Sequence, residues 1–254
     1  MRPVLTALVL GALAAASPAQ ELLEQQHREE ARKHYQAGQE YMLSEAFEKA
    51  EGEFKSATDL DPNLVMAFYG LGQARMALKK YPDAVQAYTA CRDLFLREAS
   101  TDRRSKQEKD RQLRDEIREM EQLISRVRST QTRREVGSVE GQLVSLEQRL
   151  SVLKDQFGRD DHAGPRVPAE VSLGLGSAHF RQNQLEQAEQ NYRAAIGVDG
   201  KLGAAHNNLA VIYMLTGRFD EAEREIKAAE KAGFAVSSQF KQDLKQRMST
   251  KTKP

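Results

Sequence analysis

Apolar residues along this chain recur at spacings of three and four, never in the strict alternation of a strand, so the chain is predicted to be helical throughout. One spacing returns four times. Ala50-Phe54-Ala57, Ala84-Tyr88-Cys91, Ala188-Tyr192-Ala195 and Ala222-Ile226-Ala229 each flank a large side chain with two small ones. The first two copies lie 34 residues apart, as do the last two, and the middle gap of 104 equals one period plus an insertion of about 70. A fixed period of this length predicts a solenoid of two-helix units, each burying its apolar face against its neighbours. Such a scaffold presents a surface rather than enclosing a reaction.

Each pattern copy belongs to the second helix of its unit. The first helices supply Gly38 and Tyr41, then Phe68, Leu71 and Gly72, then Leu175, Gly176 and His179, then Leu209, Ala210 and Tyr213. The small residue lets two helices approach closely and the large ones fill the space beside it. Pro62 ends the first unit where a helix must stop. In the 34-residue period, the Leu-Gly or Leu-Ala pair and the Ala-x3-aromatic-x2-Ala set, the chain resembles the tetratricopeptide repeat family. The resemblance places repeats at 31–64, 65–98, 169–202 and 203–236. Ser172 departs from the bulky residue expected to open the third unit, and Leu96 from the proline expected to close the second. The second departure implies a helix that runs on. Residues 237–254 are expected to form a capping helix, with Phe240, Leu244 and Met248 on one face, and a tail.

Residues 99–168 form the insertion. Neither proline nor glycine occurs between Pro82 and Gly137, which allows one very long helix. Its apolar seam reads Leu113, Ile117, Met120, Ile124, Val127, and a second reads Val136, Val139, Leu143, Leu146, Leu150, Leu153. Both are coiled-coil stripes. Reflected about a turn at 129–134, Val127 meets Val136, Ile124 meets Val139, Met120 meets Leu143, Ile117 meets Leu146 and Leu113 meets Leu150. The expected structure is an antiparallel coiled-coil hairpin with a return helix at 136–156. A loop at 157–168 would bring the chain home so that the third repeat stacks on the second.

Composition and charge narrow the function. Residues 1–19 read as a secretory signal, with Arg2, an apolar run from Val4 to Ala16, and Ser17-Pro18-Ala19 before a cleavage point. The export signal predicts a periplasmic or secreted protein, and its removal leaves 37 basic against 37 acidic residues. Balanced charge gives no general pull towards nucleic acid, which is not expected as a partner. The lone cysteine, Cys91, takes a small-residue position of the repeat and is expected to be packed and inert.

No catalytic constellation, cofactor motif or metal site emerges. His34 and His206 fall at helix-packing positions and His179 at an aromatic one, while Asp160-Asp161-His162 sits in a loop with no second ligand pair at helical spacing. The resemblance implies instead that first helices line a concave groove. Its residues would be Tyr35, Gln39, Met42, Tyr69, Gln73 and Met76, then Leu173, Phe180, Arg181, Asn207, Asn208 and Met214. Arg181 alone among them is cationic, too little for a clamp on a terminal carboxylate. Methionine and tyrosine make an adaptable floor suited to a peptide or a partner helix. At the hairpin tip, Arg126, Arg128, Arg133 and Arg134 could touch membrane phosphates or an acidic partner. The expected protein is therefore a non-enzymatic interaction scaffold. Its rival is a structural oligomer, a homodimer paired through the hairpins, in which the repeats only pack; deleting residues 100–160 would make such a dimer monomeric.

Overall fold

A computed structural model of the chain describes residues 17–130, 136–158 and 166–251. Ten α-helices and no strand occur among them: α1 (Pro18–Leu43), α2 (Phe47–Leu60), α3 (Val65–Ala77), α4 (Tyr81–Thr130), α5 (Val136–Gly158), α6 (Ala169–Arg181), α7 (Leu185–Val198), α8 (Gly203–Leu215), α9 (Phe219–Lys231) and α10 (Ser238–Lys251). One compact unit ends at Ala90; apart from Arg181–Asn183, the other takes in the rest of α4 and α5 through α10.

The repeat period is visible at every turn between paired helices. Glu45, Lys79, Asn183 and Gly217 occupy the same repeat position, and all four adopt positive φ between 56° and 75°. The following N–H reaches five residues back each time: Ala46 to Tyr41, Lys80 to Arg75, Gln184 to His179 and Arg218 to Tyr213. This is the left-handed closure that satisfies the last carbonyls of a helix. Only the fourth turn uses glycine; the others hold an L-residue in a conformation that costs about 1–2 kcal/mol. The second helices α2 and α7 end differently, whereas α9 closes as the first helices do, through Gly233. Asp61 and Asp199 turn extended, and their side chains accept from the N–H of Asn63 and Lys201.

The four pattern copies are the core. Ala50, Ala57, Ala84, Cys91, Ala188, Ala195, Ala222 and Ala229 are sealed from solvent, and the large residue between each pair is at most 4% exposed. Close approach explains the glycines of the first helices. A Cβ on Gly38 or Gly70 would lie 2.7 or 2.6 Å from the Phe54 ring, and one on Gly72 2.6 Å from Tyr88. In the third repeat Gly176 stands in the same relation to Tyr192. In the last repeat Ala210 takes the glycine's place and Ile226 the aromatic's, so the added methyl faces a narrower partner.

An ion-pair clamp recurs between consecutive repeats. Glu51 accepts from Arg75 Nε at 3.1 Å and Lys80 Nζ at 2.6 Å. Glu189 stands in the equivalent position and accepts from Arg218, whose guanidinium lies over the Tyr213 ring at 4.2 Å. These bonds hold both carboxyls below their usual range against the opposing effect of burial. The last repeat is covered by α10, which buries Leu244 and packs Phe240 and Met248 on the cluster around Ile226.

The insertion extends α4 to 50 residues. Its arm runs antiparallel to α5, joined by Glu121–Lys154, Arg128–Glu147 and Glu116–Arg149 ion pairs and by Arg114 over the Phe157 ring. Ile124 and Leu153 are buried. The register departs from the reflection of apolar seams. Ile124 shares a pocket with Leu150 and Glu147, whereas reflection sets Leu150 against Leu113. Opposite charges, which the apolar seams leave out, are satisfied in the observed register. Leu123, Val144 and Val152 stay exposed along the two arms.

Candidate partner-binding groove

In the first unit, α1 and α3 lie in contact and α2 backs them. Between them is a groove of about 490 Å³ lined by Tyr35, Gln39, Met42, Leu43, Phe54, Met66, Tyr69, Gly70 and Gln73. Five of the six positions implied for these two repeats meet there; Met76, half-buried on α3, does not line it. The groove exists because Gly70 has no side chain, which leaves the Phe54 ring as floor. Leu43, 88% exposed, and Met66, 46% exposed, form its rim. Neither belongs to the repeat pattern, so the pattern gave no reason to single them out.

The lining is uncharged, and its two tyrosines are built alike. Tyr35 packs on Phe54 with ring centres 5.9 Å apart at 48°, and Tyr69 on Tyr88 at 5.8 Å and 56°. Gln39 Nε2 donates to the Tyr35 hydroxyl at 2.8 Å. Partial burial raises the Tyr35 phenol above its ordinary pKa, so the hydroxyl keeps its proton at neutral pH.

Residues implied for the last two repeats are more dispersed. Leu173 and Phe180 are half-buried and pack on the core cluster, and Met214 is 9% exposed and belongs to that cluster, a packing role in place of a groove-lining one. Asn207 and Asn208 are half-buried, with Asn207 Nδ2 3.4 Å from Asn208 Oδ1. Arg181 is exposed. At the hairpin tip Arg128 is engaged with Glu147 and Arg126 is exposed, while Arg133 and Arg134 lie outside the described residues. Asp160-Asp161-His162 lies outside them too.

His34, His179 and His206 are held by neighbouring side chains. His34 Nδ1 lies 2.6 Å from Glu53 and His206 Nδ1 2.6 Å from Glu225, the same two repeat positions in the first and last units. His179 Nδ1 meets Gln184 at 2.6 Å. Among the described residues no group of three or more His, Cys, Asp or Glu could hold a metal ion, and no helix is long and apolar enough to cross a membrane. Burial pushes the Cys91 thiol up to about 12, where it is neutral and unreactive at physiological pH.

The sequence profile of the tetratricopeptide repeat family matches residues 35–95 and 173–234. These segments are tetratricopeptide repeats, and the fold is the all-α helical solenoid of that family. Such repeats are in general protein–protein interaction scaffolds. No curated protein sequence matches the chain. Among solved structures, PilW, a type IV pilus biogenesis factor, is 14% identical with 86% of each chain covered and a TM-score of 0.41. A thermophilic tetratricopeptide repeat protein of Thermus thermophilus is 17% identical, covering 86% of this chain and 98% of its own, with a TM-score of 0.35. YrrB, described as having an unusual peptide-binding site, is 16% identical over 86% and 93% of the two chains, with a TM-score of 0.26.

Proposed function

We propose that this chain is an exported, non-enzymatic scaffold that captures a peptide segment of a protein partner in the groove between α1 and α3. The observation that carries the reading is the groove's composition: an aromatic floor at Phe54, paired tyrosines and glutamines, and an aliphatic rim at Leu43 and Met66. Apolar walls with a few converging polar groups characterise ligand-binding clefts, and a cleft of about 490 Å³ falls within their usual size range. An exposed leucine and methionine at its mouth supply surface that gains from being covered.

Export rests on the Arg2 start, the apolar run and the small residues at 17–19. The expected cleavage point after Ala19 falls in the first turn of α1, between the two partners of the Ser17–Gln20 capping box. The envelope or the exterior of the cell is then where the partner is met.

Photo-crosslinking in cells tests the groove. A benzophenone amino acid in place of Met66 should trap a discrete protein partner, and Tyr69→Ala should abolish the adduct while helicity is unchanged. The same probe at Gly52, outside the groove on α2, should give no such adduct. An identical adduct from Gly52, or one indifferent to Tyr69→Ala, would defeat the reading.

A further inference from the structure

The groove repeats itself. Tyr35 and Tyr69, Gln39 and Gln73, and Met42 and Met76 are identical residues one period apart, whereas the last two repeats carry Leu173 and Asn207, Ser177 and Val211, and Phe180 and Met214 there. Each tyrosine is also seated on its own repeat's second-helix aromatic at nearly the same distance and tilt. The groove thus offers two like rungs, each with a phenol and a carboxamide, on helices in contact. The axes of helices packed in contact lie about 8–10 Å apart.

Resting on the groove reading above, we propose that the occupant is an extended, proline-rich segment in the polyproline II conformation, crossing α1 and α3 with a three-residue period. Three residues of polyproline II rise about 9 Å, which falls within that interaxial range and would carry one repeat of the strand from α1 to α3. The two sides also match chemically. A proline-rich strand has no amide hydrogens to satisfy at proline, and its carbonyls point outward without internal partners. The rungs supply donors: the Tyr35 hydroxyl accepts from Gln39 and so keeps its own hydrogen to give, and the glutamines carry two amide hydrogens each. Pyrrolidine rings and aliphatic side chains at every third position would lie on the tyrosine faces, with Phe54 beneath and Met66 and Leu43 closing over them. The uncharged lining suits an uncharged segment. A helix would present its anchors at 3.6-residue intervals along its own axis and leave no carbonyl for the rungs.

Fluorescence anisotropy on the full chain distinguishes these cases with three labelled peptides. They are (Pro-Pro-Leu)4, the out-of-period (Pro-Pro-Pro-Leu)3, and an alanine-rich helical peptide with leucines on one face. The period-three peptide should bind tightest. Tyr35→Ala and Tyr69→Ala should each weaken it about tenfold or more, and Tyr35→Phe about three- to tenfold through the lost hydroxyl, with circular dichroism unchanged. If the helical or out-of-period peptide binds as well or better, and still requires the tyrosines, the polyproline inference is overturned while the groove reading stands. If no peptide binds, or binding ignores both tyrosines, the inference and the groove reading fall together.

Discussion

Two side chains show how finely the repeat is tuned. Gly72 leaves room for Tyr88 and no more, since a Cβ there would stand 2.6 Å from the ring. Gly72→Ala is expected to destabilise the first unit by about 1–3 kcal/mol despite the helix propensity gained. The last repeat already contains the compensated pair, Ala210 with Ile226. Combining Gly72→Ala with Tyr88→Ile should therefore cost less than the sum of the two alone, as a double-mutant cycle in urea will measure. Glu189 gives a test in pH. Hydrogen bonds from Arg218 depress its folded pKa, so its contribution is complete above the unfolded value of about 4.3 and disappears as pH falls through the folded one. Wild type should exceed Glu189→Gln by about 1 kcal/mol at pH 7, the gap closing in strongly acidic solution; a constant gap would contradict the assignment.

Among the elements, those set by periodic packing were legible in the sequence. The four small-large-small copies name residues that are all buried, and the missing proline at Leu96 reads as a continuing helix because α4 does run on to Thr130. The register of the hairpin was not. Apolar seams alone allow several alignments, and the observed one buries Ile124 and Leu153 while it pairs Glu121 with Lys154 and Arg128 with Glu147. A short bismaleimide should therefore join Glu121→Cys to Lys154→Cys faster than Leu113→Cys to Leu150→Cys, as gel mobility after proteolysis will report. Native Cys91 will not interfere, its thiol being buried and held protonated. The groove was half legible for a similar reason. Tyr35, Gln39, Tyr69 and Gln73 sit at repeat positions that face inward, but Leu43 and Met66 matter through exposure, which no periodicity encodes.

Across the whole molecule, like parts are used with unlike precision. The turn, the small-large-small core and the Glu51 and Glu189 clamps are shared between the two repeat pairs. The doubled tyrosine and glutamine are confined to the first pair. On the proposed reading, Tyr35, Gln39, Tyr69 and Gln73 add recognition to positions outside the shared small-large-small core, so substitutions there should lose binding and keep the fold. The covering of the last repeat by α10 bears on how such a chain can lengthen. Its inner side fits the final pair through Leu244, while Lys245, Gln246 and Arg247 face water. A duplicated helix pair spliced upstream of that lid meets a matching neighbour on each side; one laid against its outer side meets polar and charged side chains. The place for an added helix pair is therefore upstream of α10, where the apolar face it needs is already matched.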